Sequence, residues 1–203
     1  FFLDVNERQM ALYMQHYYNP VHRSTRVPRT RWCVMRYPNQ AMAALAKMSV
    51  EAFENFYFDA CLVDYAKMCE AMTPLKELME RTDKVRIIAP GTDLAFSIKG
   101  IPAIKCCGEV NIPDGEVYTA PVKNSINGVV QFNTDTVYNG IFFSNVRLVF
   151  KDGRITEASS LANNDKLQDI LETDAGSRYM GEFAFGLNPG ITHPILDILF
   201  DEK

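Results

Sequence analysis

No apolar run in the 203 residues approaches the roughly 18 that a membrane helix needs. No charged stretch followed by an apolar core opens the chain, so neither a membrane partner nor a secretory leader is expected. No segment repeats and no tract is compositionally simple. Charge of one sign is also scarce: the formal net charge is −4, which argues against a nucleic-acid partner or an anionic membrane surface. The cysteines (Cys33, Cys61, Cys69, Cys106 and Cys107) are odd in number and form no CxxC pair. Free thiols in a reducing, cytoplasmic setting are expected rather than a disulfide framework. The glycines do not fall at the spacing of a dinucleotide fingerprint. An initiating Met is missing too: the chain begins Phe1-Phe2 and ends Phe200-Asp201-Glu202-Lys203 with no helix stop, so both ends read as cuts through a longer protein.

The composition is ordinary for a globular protein, 47% hydrophobic and 23% charged, and the length suits one or two domains. Apolar Met10, Leu12, Tyr13 and Tyr17 predict a helix over 7–18. The Arg- and Pro-rich stretch 19–31 reads as a loop, a solvated connector or a partner-facing one, since no aromatics interleave with its charges as a nucleic-acid arm would require. Residues 31–37 alternate like a strand, and a helical run follows Pro38. Ser49 is placed to cap a helix whose inner face carries Val50, Phe53, Phe56, Tyr57, Ala60 and Cys61. Helical spacing continues through Leu62, Tyr65, Met68, Cys69 and Met72 to Pro74, which either kinks the helix or starts a new one, with Leu75, Leu78 and Met79 beyond it. The Met and aromatic stripe reads as core. Strands follow at 84–90 and 91–100, so the first hundred residues alternate strands and helices, as α/β domains do. Beyond about 105 the texture turns β-rich, with strand runs, an Asp152-Gly153 hairpin turn, an amphipathic helix over 163–176 and a strand over 178–187. The expected architecture is an α/β, Rossmann-like but truncated N-terminal part over 1–107 and an incomplete, β-rich α+β domain over 108–203, with the boundary near 105–110.

Two acidic residues stand out. Glu116 follows a Pro113-Asp114-Gly115 turn and precedes Thr119-Ala120-Pro121; Glu182 follows Gly181 and precedes an apolar strand. A glycine before a strand carboxylate lets another group approach closely, and two carboxylates held in that way can share a pair of metal ions. By itself the pattern is weak, because Gly-Glu is a common dipeptide and a strand-end Glu is usually solvated.

Six stretches in order, GTDLAFSIKG, NIPDGEVYTAP, FNTDTVYNG, NVRLVFKDGRI, RYMGEFAFG and LFDEK, cover about 92–203. They resemble successive blocks of the thermophilic-type metalloaminopeptidases, the M29 peptidase family, and the upstream helices are similar to its α/β N-terminal domain. The resemblance implies a metallopeptidase domain and two divalent metal ions (Zn, Co or Mn) held by carboxylates and histidines. It assigns Glu116, Glu182 and Glu202 as metal ligands, with Glu182 shared between the ions and central to catalysis. It implies a cytoplasmic homodimer that removes N-terminal residues from peptides with a free N-terminus by two-metal hydrolysis. The family's ligand His, Tyr and later His and Asp would lie past Lys203, so His16, His22 and His193 are expected to be surface or structural. The chain alone, with only the carboxylates, is expected to bind metal weakly and to hydrolyse little. Two rivals come from other classes: a small-ligand module using the Pro90-Gly91-Thr92-Asp93 turn, and a dimerisation fragment without catalysis.

Overall fold

A computed structural model describes residues 5–203; Phe1 and Phe2, on which the expectation of a cut N-terminus rests, lie outside them. The chain divides into two compact units, 1–35 and 36–203. Among the described residues no helix is long and apolar enough to cross a membrane.

In the first unit the expected helix begins as an α-helix at Glu7–Tyr13, with a capping box between Asn6 and Gln9. It does not stop at residue 18. It continues as a π-helix, Met14–Arg26, and a last α turn, Val27–Arg29. The connector expected over 19–31 is therefore mostly helical. The widened π register has room for Pro20, and the Ser24 and Thr25 hydroxyls donate to the carbonyls of Asn19 and Pro20, five residues back.

The second unit begins with short capped helices. Asn39 caps Gln40–Leu45, Ser49 caps Val50–Cys61 as expected, and Asp64 caps Tyr65–Ala71. Pro74 does not kink a long helix; it opens a new one, Thr73–Arg81, where its missing N–H costs nothing. The expected aromatic and Met stripe is core, with Phe53, Tyr57, Met68, Met72 and Met79 all buried, but Val50, Leu62 and Leu78, expected on the same helical faces, are exposed at or near helix ends or on the outer side.

A five-stranded sheet runs in the order Arg154–Ser159, Arg147–Lys151, Asn127–Gln131, Thr92–Ser97, Lys84–Ala89. Every neighbouring pair in it is antiparallel. Alternation of helices and strands along the sequence predicts a parallel, Rossmann-like arrangement; here strands 84–89 and 92–97 form a hairpin, and 92–97 pairs with 127–131 from beyond the expected boundary. The boundary near 105–110 thus falls between strands of one sheet. The tight turn at Asp152-Gly153 forms as read from the sequence, with Lys151 paired to Arg154.

A three-stranded sheet carries the region of interest. Its central strand, Glu116–Thr119, lies between Ile104–Cys106 and Phe183–Gly186. Only the end of the strand expected over 178–187 forms, and Glu182 sits immediately before it.

One expectation is overturned outright. Cys69 and Cys107 are joined in a disulfide, with their Cα atoms 5.4 Å apart; Cys33, Cys61 and Cys106 are free. The partners are 38 residues apart with no motif between them. The strand Ile104–Cys106 lies against the helix Thr73–Arg81, and Lys105 on it donates to the Cys69 carbonyl and the Thr73 hydroxyl, which brings Cys107 to Cys69.

Candidate metal centre

Register sets the centre. Glu116 begins the middle strand and pairs with Cys106 on one side and Gly186 on the other. Because side chains alternate along a strand, Val117 turns fully into the apolar core while Glu116 is buried beside a different set of neighbours. The Pro-Asp-Gly turn before it is also enclosed. Asp114 is fully buried, and its Oδ2 accepts from the Gly108 N–H at 2.8 Å. Gly115 has φ of 135°, and a Cβ there would come within 2.9 Å of Asn188. The close approach expected of a glycine before a strand carboxylate is met at Gly115, but a Cβ at Gly181 would meet nothing within 4 Å.

The LFDEK segment is delivered to the same place by its own chemistry. Phe200 is buried, stacked on Tyr57 at 5.5 Å between ring centroids. Asp201 accepts from the Ile195 and Asp197 N–H groups and ties down the preceding loop. Asn188 donates from its backbone to the Lys203 carbonyl and from its side chain to the carbonyls of Ala60 and Asp114. One buried amide thus ties a helix end to the Asp114 turn, and its backbone ties both to the chain at Lys203.

Glu116, Glu182 and Glu202 each offer a carboxylate oxygen, and these oxygens lie within 4.8 Å of one another. Glu116 is buried, Glu202 partly buried and Glu182 exposed, so the cluster opens to solvent on one side. Three residues that sequence reasoning did not select join them. Cys106 and Asp114 form a second group with Glu116, again within 4.8 Å. Lys203 places its ammonium 2.5 Å from Glu116 Oε1, 3.0 Å from Glu202 Oε1 and 3.6 Å from Asp114 Oδ1. Asp114 reads in sequence as a turn former and Lys203 as a surface charge; adjacency to Glu116 and Glu202 was the one signal available for either.

The electrostatics follow from burial and crowding. Burial pushes the Glu116 carboxyl above the usual carboxylate range, opposed by the hydrogen bond from Lys203. Lost solvation, then the Glu202 charge, raises Glu182. Burial works against the Lys203 charge, but hydrogen bonds to Glu116 and Glu202 more than offset it and hold the ammonium form above the ordinary lysine range. Burial and then the charges of Asp114 and Glu116 push the Cys106 thiol up to about 12, so it stays protonated at neutral pH.

Asp114, Glu116 and Glu202 gather about a single ammonium with Glu182 beside Glu116 and Glu202, and Asp114 Oδ1 and Glu116 Oε2 are buried with no hydrogen bond. That donor set fits divalent cations: hard oxygens, surplus negative charge and unsatisfied inner acceptors. Among the described residues no histidine joins it. His193 instead stacks on Phe56 at 4.2 Å and bonds to Thr192. The rival turn at 90–93 is occupied within its hairpin: Asp93 is bound by Arg86 at 2.8 and 2.7 Å, and Gly91 abuts Gln131.

A family model described as thermophilic metalloprotease (M29) matches residues 4–203. Aminopeptidase PepS of Streptococcus thermophilus is 29% identical over 199 residues, covering 85% of this chain and 46% of that protein. Aminopeptidase AmpS of Bacillus subtilis (strain 168) is 34% identical over 105 residues, 47% of this chain and 26% of that protein. Among solved structures, wild-type AmpT from Thermus thermophilus aligns with a TM-score of 0.65 at 25% identity, covering 75% of this chain and 43% of that one. The chain spans less than half the length of the curated relatives it matches.

Proposed function

The chain belongs to the thermophilic metalloprotease (M29) family, and on that premise we propose that the complete protein is a metal-dependent aminopeptidase that releases N-terminal residues from peptides. The observation that carries this reading is the convergence of three carboxylates, from a strand, a strand entrance and the segment after a short helix, within 4.8 Å. Glu116, Glu182 and Glu202 would hold two divalent ions, Zn, Co or Mn. When bound, such ions supply Lewis acidity, polarising a carbonyl and acidifying water. The protein's own part is positional and electrostatic. Glu116, buried and braced from both sides, fixes one edge of the site. Glu182, exposed, is the carboxylate that a peptide can reach. With carboxylates but no imidazole in the cluster, the 203-residue chain alone is proposed to be a poor hydrolase.

Assay of the complete protein on amino-acid anilides tests this. Chelator is expected to abolish hydrolysis and added Mn²⁺, Co²⁺ or Zn²⁺ to restore it, while Glu182→Gln is expected to lose at least about a hundredfold in kcat/KM, the scale of a lost electrostatic contact at the reacting centre. Hydrolysis indifferent to both would overturn the reading. By the same resemblance the complete protein is a cytoplasmic homodimer, which light scattering and fractionation would check. Free thiols lend the location no support, because Cys69 and Cys107 are paired.

A further inference from the structure

Lys203 carries a positive charge into an acidic site and has no part in the reaction proposed above. Its side chain is 1% exposed, and it touches three carboxylates, two of them, on Asp114 and Glu116, buried with it. A lysine is driven inside only where partners compensate its lost hydration. Here the compensation runs both ways, since without the ammonium Asp114 and Glu116 would be enclosed with no cation beside them. Lys203 also divides the oxygens of its partners. It takes Oε1 of Glu116 and Oε1 of Glu202, and Glu116 Oε2 is left without a hydrogen bond.

The geometry points to Lys203 as a positioning residue: a built-in counter-cation that holds Asp114, Glu116 and Glu202 together before any metal arrives, so that the centre is formed in the metal-free protein. The side chain is not the sole anchor of the segment that bears it. Phe200 in the core, Asp201 on the 195–197 loop and the Asn188 hydrogen bond to the Lys203 carbonyl hold it as well. Replacing the side chain therefore tests its charge more than the docking of the chain.

The test is thermal unfolding of the 203-residue chain in EDTA and in Mn²⁺. In EDTA, Lys203→Met is expected to melt about 10 °C below the unaltered chain, the shift produced by breaking a buried pair in a protein of this size. The double variant Asp114→Asn/Lys203→Met removes one acid together with the cation and leaves an amide oxygen to accept from Gly108. It is expected to recover at least about half of that loss, because the two charges act as a unit. Mn²⁺ is expected to raise Lys203→Met by more than it raises the unaltered chain; this arm alone rests on the assignment of Glu116, Glu182 and Glu202 as ligands. Equal melting of Lys203→Met and the unaltered chain in EDTA overturns the proposal, as does a double variant no more stable than the single. If the double variant recovers and Mn²⁺ does nothing, the counter-cation stands and the ligand assignment fails. If Lys203→Met does not fold, the double variant decides: folded supports the proposal, unfolded overturns it.

Discussion

At Gly186 a hydrogen in place of a methyl group lets two pieces of chain touch. A Cβ there would lie 2.6 Å from the Lys203 carbonyl oxygen and 2.9 Å from that of Glu202, and both obstacles are backbone. Gly186→Ala is therefore expected to push the 202–203 segment off the strand that carries Glu116 and to weaken Mn²⁺ binding about tenfold or more, the usual cost of disturbing what supports a ligand; titration calorimetry reads it directly. Two buried groups make a second prediction. Burial raises Cys61 to about 11, and burial followed by the Cys61 charge raises Tyr57 to about 12. Both are neutral in the fold, so their contribution is complete below the unfolded values of 9.0 and 10.0 and is lost as pH rises through about 11 and 12. Stability followed by denaturant titration should decline from about pH 9 upwards. At pH 8, iodoacetamide followed by peptide mapping should modify exposed Cys33, spare Cys61 and find Cys69 linked to Cys107.

The short helix Ile198–Asp201 illustrates how an element can matter beyond its length. Four residues cannot be stable alone, so its place is set by Phe200, packed against Tyr57 and Phe56. Phe200→Ala should cost about 3–5 kcal/mol of stability and should lower Mn²⁺ affinity as well, since Glu202 and Lys203 follow directly; denaturant melts and calorimetry check the two effects on one variant. Elements with a local signal were legible in the sequence. Ser49 as a cap, the Asp152-Gly153 turn and the apolar face of 92–97 formed as read, Pro74 took one of its two readings as a start, and the face of 50–61 formed except at Val50, which is exposed. Elements without one were not. The π-helical stretch over 14–26 hides behind Pro20 and a row of arginines, because a widened helical register has no residue pattern of its own. The hairpin of 84–89 with 92–97 was hidden for a related reason: alternation of helices and strands does not say which strands become neighbours.

Across the described residues, 36–203 hold both apolar cores, the three-stranded sheet that carries the centre and every member of the acidic cluster. A chain cut to 36–203 should therefore keep its cooperative thermal transition and its Mn²⁺ affinity; loss of either, followed by circular dichroism and calorimetry, would show that residues 1–35 support the centre. Two acidic candidates were marked in the linear sequence by local context, a glycine before Glu116 and before Glu182, whereas Glu202 came only from the resemblance of LFDEK to a block of the family. The buried faces of the helices were marked too, since periodicity is a local property. Three things were decided only by folding: which sheet each strand joined, which two cysteines met, and that Lys203 would sit among Asp114, Glu116 and Glu202. Each depends on contact between residues far apart along the chain, and such contacts are selected by the packing of whole faces rather than by any neighbour in sequence.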